Sequence, residues 1–286
     1  MDARQFLTTS RIIIVAGKGG VGKSAVSAAL ALAGAREGMR SLLVTLDAPG
    51  VAPPEHSNLD VLAVSPGVAL ADYLSSHGLG RLTRRLATSG LVELVAQTAP
   101  GIDDLLVLGK IKSLERDLHA DVIVVDGPAS GHAIDLLRAP SILRRAVPSG
   151  PIGQQADEVI AMMADAARCR TMLVATPAMT PVQETVEVAR ELSTLGIALA
   201  PVAVNMVDER PPAVDASRLE DHLRRAVEWA GERAAAQADA VAHLDASLST
   251  GRFLLRRHRL AGADLVEALT DDMVAAIEGR MEPTTR

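Results

Sequence analysis

The stretch RIIIVAGKGGVGKSAVSAALALA, Arg11–Ala33, decides the fold. Its apolar run Ile12–Ala16 has no polar face, so it is predicted as a strand (Arg11–Ala16) covered by helices on both sides. From Ser24 the chain is rich in Ala and Leu until Gly38, which predicts a helix over Ser24–Glu37 closed by that glycine. Between them stands GKGGVGKS, Gly17–Ser24, which satisfies G-x-x-x-x-G-K-[ST] in the strand–turn–helix context the pattern requires. Glycines there let backbone N–H groups wrap phosphates, and the helix N-terminus adds a favourable dipole. Gly17, Gly19, Gly20, Val21, Gly22, Lys23, Ser24 and Ala25 are therefore expected to line a nucleotide's phosphates. Lys23 is expected on the β- and γ-phosphates and the Ser24 hydroxyl on Mg2+. One lysine suffices for that task, so the second, Lys18, needs another explanation.

Outward from this stretch, apolar β-branched runs alternate with longer helical patterns, which predicts an α/β fold with a mostly parallel sheet. The further strands are expected at Ser41–Leu46, Val61–Ser65, Asp121–Asp126, Thr171–Ala175 and Pro201–Asn205. Helices are expected at Met179–Leu195 and within Asp215–Leu244. The alternation lapses at about 69–120 and again at about 140–169, where leucine stripes and Pro/Gly punctuation suggest helical insertions on one domain spanning residues 1–286. A single phosphate-loop pattern is present.

Composition narrows the function. Aromatics make up 1% of the 286 residues and the formal net charge is −6, which argues against nucleic acid as partner. The lone Cys169 excludes a disulfide framework or a thiolate-rich metal site within one chain and suits a reducing cytoplasm. No segment approaches the ~20 continuous apolar residues of a membrane-spanning helix, and MDARQFLTTS does not read as a signal peptide.

A lysine directly after the first glycine is the deviant form of the loop, found in dimerising ATPases that include MinD, ParA-type partition proteins, the nitrogenase iron protein and the ArsA family. DVIVVDGPASGHAIDLLRAP, Asp121–Pro140, resembles the ArsA-family pattern D-x-A-P-T-G-H followed by a leucine pair. Asp126, Gly131, His132, Leu136, Leu137 and Pro140 stand at matching spacings, with Pro128 and Ala129 transposed and Ser130 in place of Thr. APGIDDLLVLGKI (Ala99–Ile111) and ATPAMTPVQET (Ala175–Thr185) are further echoes. The chain thus resembles the ArsA group of anion-transporting ATPases, which includes the factors that target tail-anchored membrane proteins (GET-type) and their actinobacterial relatives.

That resemblance implies a three-layer αβα P-loop NTPase using ATP and Mg2+ as a nucleotide-dependent dimer. It implies that Lys18 reaches across the dimer to the partner's phosphates. It also makes Asp126 the carboxylate beside Mg2+ and Asp47, in LLVTLDAPG, the water-positioning and metal-side aspartate of a departed D-P-A-H-S segment. Asn205 falls where relatives hydrogen-bond adenine, His132 belongs to the switch loop, and RFLLRRHRL (Arg252–Leu260) is expected to form the last strand and its loop near the nucleotide. The partner is a second copy or a paralogous ATPase, and a hydrophobic protein client is compatible with the leucines of Leu79–Leu118 and the pair Met162-Met163. Two alternatives stand beside this reading. One is an arsenite-pump ATPase subunit, weakened by the lone cysteine. The other is a ParA/MinD-type positioning ATPase, weakened by the acidic stretch Ala263–Arg286.

Overall fold

β1 (Ile12–Gly17) forms the middle of a seven-stranded, all-parallel sheet in a computed structural model that describes residues 2–46, 50–76, 101–117, 120–128, 132–209 and 219–279. The other strands are β2 (Ser41–Thr45), β3 (Leu59–Ala63), β4 (Val122–Asp126), β5 (Cys169–Ala175), β6 (Val202–Val207) and β7 (Arg252–Arg256). Their order is β3-β2-β4-β1-β5-β6-β7. Parallel neighbours need crossovers, and described helices supply them except between β2 and β3, where no helix lies among the described residues. The described helices are α1 (Ala3–Thr8), α2 (Lys23–Arg36), α3 (Pro66–Ser76), α4 (Ile102–Arg116), α5 (His132–Ala146), α6 (Gly150–Ala164), α7 (Met179–Thr194), α8 (Asp221–Ser247) and α9 (Gly262–Ile277).

Side chains alternate across β1 and so divide the core. Ile12, Ile14 and Ala16 pack on one side with residues of α3 to α8, while Ile13 and Val15 pack on the other with α1, α2 and α9. This three-layer αβα arrangement is the expected P-loop fold. Each buried Ile, Leu or Val contributes on the order of 1.5–3 kcal/mol, with an extended chain as reference. Ala carries most of the packing in α2, whose residues from Ala25 to Ala35 are all buried. The chain's two Phe residues meet edge-on, Phe6 of α1 against Phe253 of β7, with ring centroids 5.2 Å apart. A capping box on Asp2 and Gln5 starts α1.

Several boundaries differ from the sequence expectation. β3 lies at Leu59–Ala63 and not Val61–Ser65: it begins two residues earlier beside β2, and just past its end the Val64 N–H donates to the Thr45 carbonyl at 2.9 Å. α5 runs from His132 through Pro140, so the second helical segment begins before that proline and not at it. β5 starts two residues early, at Cys169, and β6 continues to Val207. α8 starts at Asp221; Asp215, where a helix was expected to begin, lies outside the described residues. Among the described residues no helix is long and apolar enough to cross a membrane.

Candidate functional site

The loop leaves β1 at Gly17 and enters α2 at Lys23. A side chain at Gly17 would place its Cβ 2.5 Å from the Val174 carbonyl oxygen of β5, so the chain can turn off the sheet here only without one. Gly22 has φ +89°, and a Cβ there would lie 2.3 Å from Asn205 Nδ2. Ala25 is buried one turn into the helix.

The two lysines occupy opposite settings. Lys23 is 6% exposed, and its ammonium donates to the Lys18 carbonyl at 2.9 Å. Lys18 directs its side chain outward, 62% exposed, where it pairs with Glu184 of α7. The same loop thus holds one cation inside and one at the surface.

Asp126 ends β4 and is buried. Ser27 of α2 donates to its Oδ1 at 3.1 Å and to the Lys23 carbonyl at 2.9 Å, tying the strand end to the loop. A Cβ at Gly50 would lie 3.4 Å from Ser24 Oγ, so the chain just beyond Asp47 passes against that hydroxyl. Asp47 itself lies outside the described residues. A serine hydroxyl and a buried carboxylate are hard oxygen donors of the kind Mg2+ takes together with phosphate and water. His132 opens α5.

Asn205 is 3% exposed and donates its amide to the Val21 carbonyl at 2.9 Å. The residue expected beside a base therefore also pins the phosphate loop to β6. Met206 follows at φ +63°, where the β6–β7 register breaks between Val204 and Val207. A methionine in the left-handed region stores strain of about 1–3 kcal/mol, a cost commonly met at ligand sites.

Asp208, just beyond β6, gathers three side chains that the sequence does not place together. Its Oδ2 accepts from Arg233 and, at 2.6 Å, from Gln237, and its Oδ1 accepts from Arg257. The Asp208 N–H donates to Gln237 Oε1 at 3.0 Å. Burial alone would push this carboxyl up, but the hydrogen bonds from Arg233, Arg257 and Gln237 outweigh it and hold it below the usual carboxylate range. Beside the cluster a cavity of about 510 Å³ opens over the ends of β5 and β7, lined by Thr176, Met179, Arg233, Gln237 and Arg257 among others. Arg256 at the end of β7 and His258 beyond it both bond the fully buried Asp272 of α9, at 2.6 and 2.8 Å, which fixes the loop that RFLLRRHRL was expected to form.

Sequence reasoning missed Ser27, Glu184 and the Asp208 cluster. Ser27 stands one helical turn after Lys23, a spacing that could have revealed it. Glu184 carries no such signal, and Arg257 lies in RFLLRRHRL, expected near the nucleotide but without Asp208 as its partner.

Comparison with known proteins agrees with this geometry. Residues 10–149 match the family model of the anion-transporting ATPases, ArsA_ATPase. The chain is 31% identical over 224 residues to the ATPase BagA of Mycobacterium tuberculosis, covering 70% of this chain and 66% of that protein. It is 27% identical over 158 residues to the ATPase GET3 of Chaetomium globosum, covering 48% of this chain and 45% of that protein. A similar match, 27% over 157 residues, links it to the ATPase ASNA1 homolog 1 of Paramecium tetraurelia, covering 48% of this chain and 46% of that protein. The chain thus spans just under two thirds of the mycobacterial relative and about half of the other two. With the loop, the carboxylate at the end of β4 and the parallel sheet in one structure, these matches show that the chain belongs to the ArsA family of anion-transporting ATPases.

Proposed function

We propose that this chain binds ATP with Mg2+ in the glycine-rich loop, hydrolyses it, and works as a nucleotide-gated pair in which Lys18 of each protomer serves the other's phosphates. The observation that carries this reading is the divided setting of the two lysines. Lys23 lies inside the loop, its ammonium bonded to the Lys18 carbonyl, within the turn that would hold its own triphosphate. Lys18 faces outward, held by an exposed ion pair that costs little to break, about 0.2–1 kcal/mol. A cation presented across an interface can stabilise the charge that spreads over a transferring phosphoryl group.

Ser24 and Asp126 are the residues that would hold Mg2+, which when bound neutralises charge developing on the β- and γ-oxygens. Asp47 is assigned to orient the attacking water. Asn205 is assigned to the base side of the nucleotide, and its bond to Val21 keeps the loop in place meanwhile. The family model and the named ATPases support the hydrolase activity.

A single domain over residues 1–286, a cytoplasmic setting, and a partner that is a second copy or a paralogue complete the proposal. A hydrophobic client belongs to it with one change of contact. Met162 and Met163 are buried in the core, 0% and 2% exposed, and do not line a groove. Leu79, Leu82, Leu86, Leu91 and Leu94 lie outside the described residues. The arsenite reading loses support for a related reason: Cys169 is buried, and burial pushes its thiol up to about 12.

Two variants test the division of labour. Lys23→Ala is expected to abolish ATP binding, read by isothermal titration. Lys18→Ala is expected to keep binding within about threefold while turnover falls by roughly 10³-fold, the lower end for a trans-acting cation. Unchanged turnover in Lys18→Ala would remove the trans role.

A further inference from the structure

The loop has a phosphate end and a base end, and the fold tells them apart. Ser24, Gly50 and Asp126 lie toward β2 and β4, on one side of β1. A nucleotide whose terminal phosphate sits there must run its base the other way, over the ends of β5, β6 and β7. Asn205 marks that direction, because its amide touches the loop at Val21. Asp208 is the next carboxylate along the same strand end, three residues on.

A carboxylate at that place has a definite chemical preference. Guanine presents N1–H and the exocyclic N2–H2 side by side, two donors that match the two oxygens of an ionised aspartate. Adenine presents an N1 lone pair at the same edge, which a bare carboxylate repels. An open Asp208 would therefore select guanine. It is not open: Arg257 occupies Oδ1, while Arg233 and Gln237 occupy Oδ2. Its side chain is 23% exposed, and its partners come from α8 and from the turn after β7, so that with the end of β6 the arrangement is built from three elements.

We infer that Arg233, Gln237 and Arg257 are specificity-determining residues that hold Asp208 out of guanine's reach and so reserve the site for adenine. This rests on the nucleotide reading given above. The partners act through Asp208 and are positioning residues. Bonds from neutral donors to a charged group span about tenfold to a hundredfold in affinity, which sets the size of the expected effect.

The test is isothermal titration with Mg-ATP and Mg-GTP of the unmodified protein, of Arg233→Ala/Arg257→Ala, and of the same pair with Asp208→Asn added. The unmodified protein is expected to favour ATP. The double variant should move the ATP:GTP affinity ratio toward GTP by about tenfold or more, and Asp208→Asn should remove that gain. Should the double variant not fold, Arg233→Met/Arg257→Met, which keeps the apolar stems and removes both guanidinium groups, carries the same measurement. A folded variant with the unmodified ratio overturns the inference, as does equal weakening of both nucleotides, which is what a merely structural tie would give. A shift that survives Asp208→Asn, or an unmodified protein that binds GTP as tightly as ATP, overturns it too. Failure of the unmodified protein to bind either nucleotide would instead bring down the nucleotide reading itself.

Discussion

Gly22→Ala should destabilise the protein by about 2–5 kcal/mol, and the structure separates that cost into two parts. Gly22 sits at φ +89°, where an L side chain costs about 1–2 kcal/mol. The added Cβ would also lie 2.3 Å from Asn205 Nδ2, and Asn205 is 3% exposed with little room to retreat. Displacing its amide breaks the bond to Val21 and leaves buried polar groups unsatisfied, about 1–3 kcal/mol more. Gly20 supplies the control. It has φ +81° but nothing within 4 Å of its Cβ position, so Gly20→Ala should cost the backbone strain alone, about 1–2 kcal/mol. Urea unfolding with linear extrapolation reads both values. Adding Asn205→Ala to Gly22→Ala removes the clash, so in that background the glycine substitution should cost no more than Gly20→Ala does. Equal costs for Gly20→Ala and Gly22→Ala in the otherwise unmodified chain would refute the contact between Asn205 and the loop. So would a Gly22→Ala cost that Asn205→Ala leaves unchanged.

The buried Cys169 thiol, pushed up to about 12, should resist a disulfide reagent at pH 8 in the native protein and react at once in urea. Rapid native labelling would contradict its burial. Asp208 is held below the usual carboxylate range, so its ion pairs contribute fully above about pH 4 and are lost as pH falls through its lowered value. The difference in urea midpoint between the unmodified protein and Asp208→Asn should therefore be largest near neutral pH and narrow below about pH 4. A difference constant down to pH 3 would show that the carboxylate's charge is not what the arginines hold.

Features bound to an obligatory local chemistry were legible in the sequence. The loop, α2 and Asp126 follow from a fixed spacing between a strand, glycines of special conformation and a helix start. The strands flanking β1 were legible for the same reason that they are buried on both faces, since an uninterrupted apolar run admits few other readings. β3 was displaced because it is an edge strand with exposed residues at Asp60 and Val61, so its hydrophobic pattern does not mark its limits. α5 passes through Pro140, which local propensity alone would make a boundary. Met206 at φ +63° has no sequence signal, since methionine does not favour the left-handed region, and it falls where the β6–β7 register breaks. The Asp208 cluster joins residues 25, 29 and 49 positions apart, and only the tertiary fold brings them to one carboxylate.

The trans assignment of Lys18 is met most directly by the order of the ATPase reaction in protein concentration. Specific activity of the unmodified protein should rise with concentration at high dilution and level off once pairs are saturated, because each triphosphate waits for a neighbour's lysine. Lys18→Ala should show low specific activity at every concentration. A rate strictly proportional to protein, with the same dependence on Lys18, would mean that the exposed lysine serves its own nucleotide and that no second chain is needed.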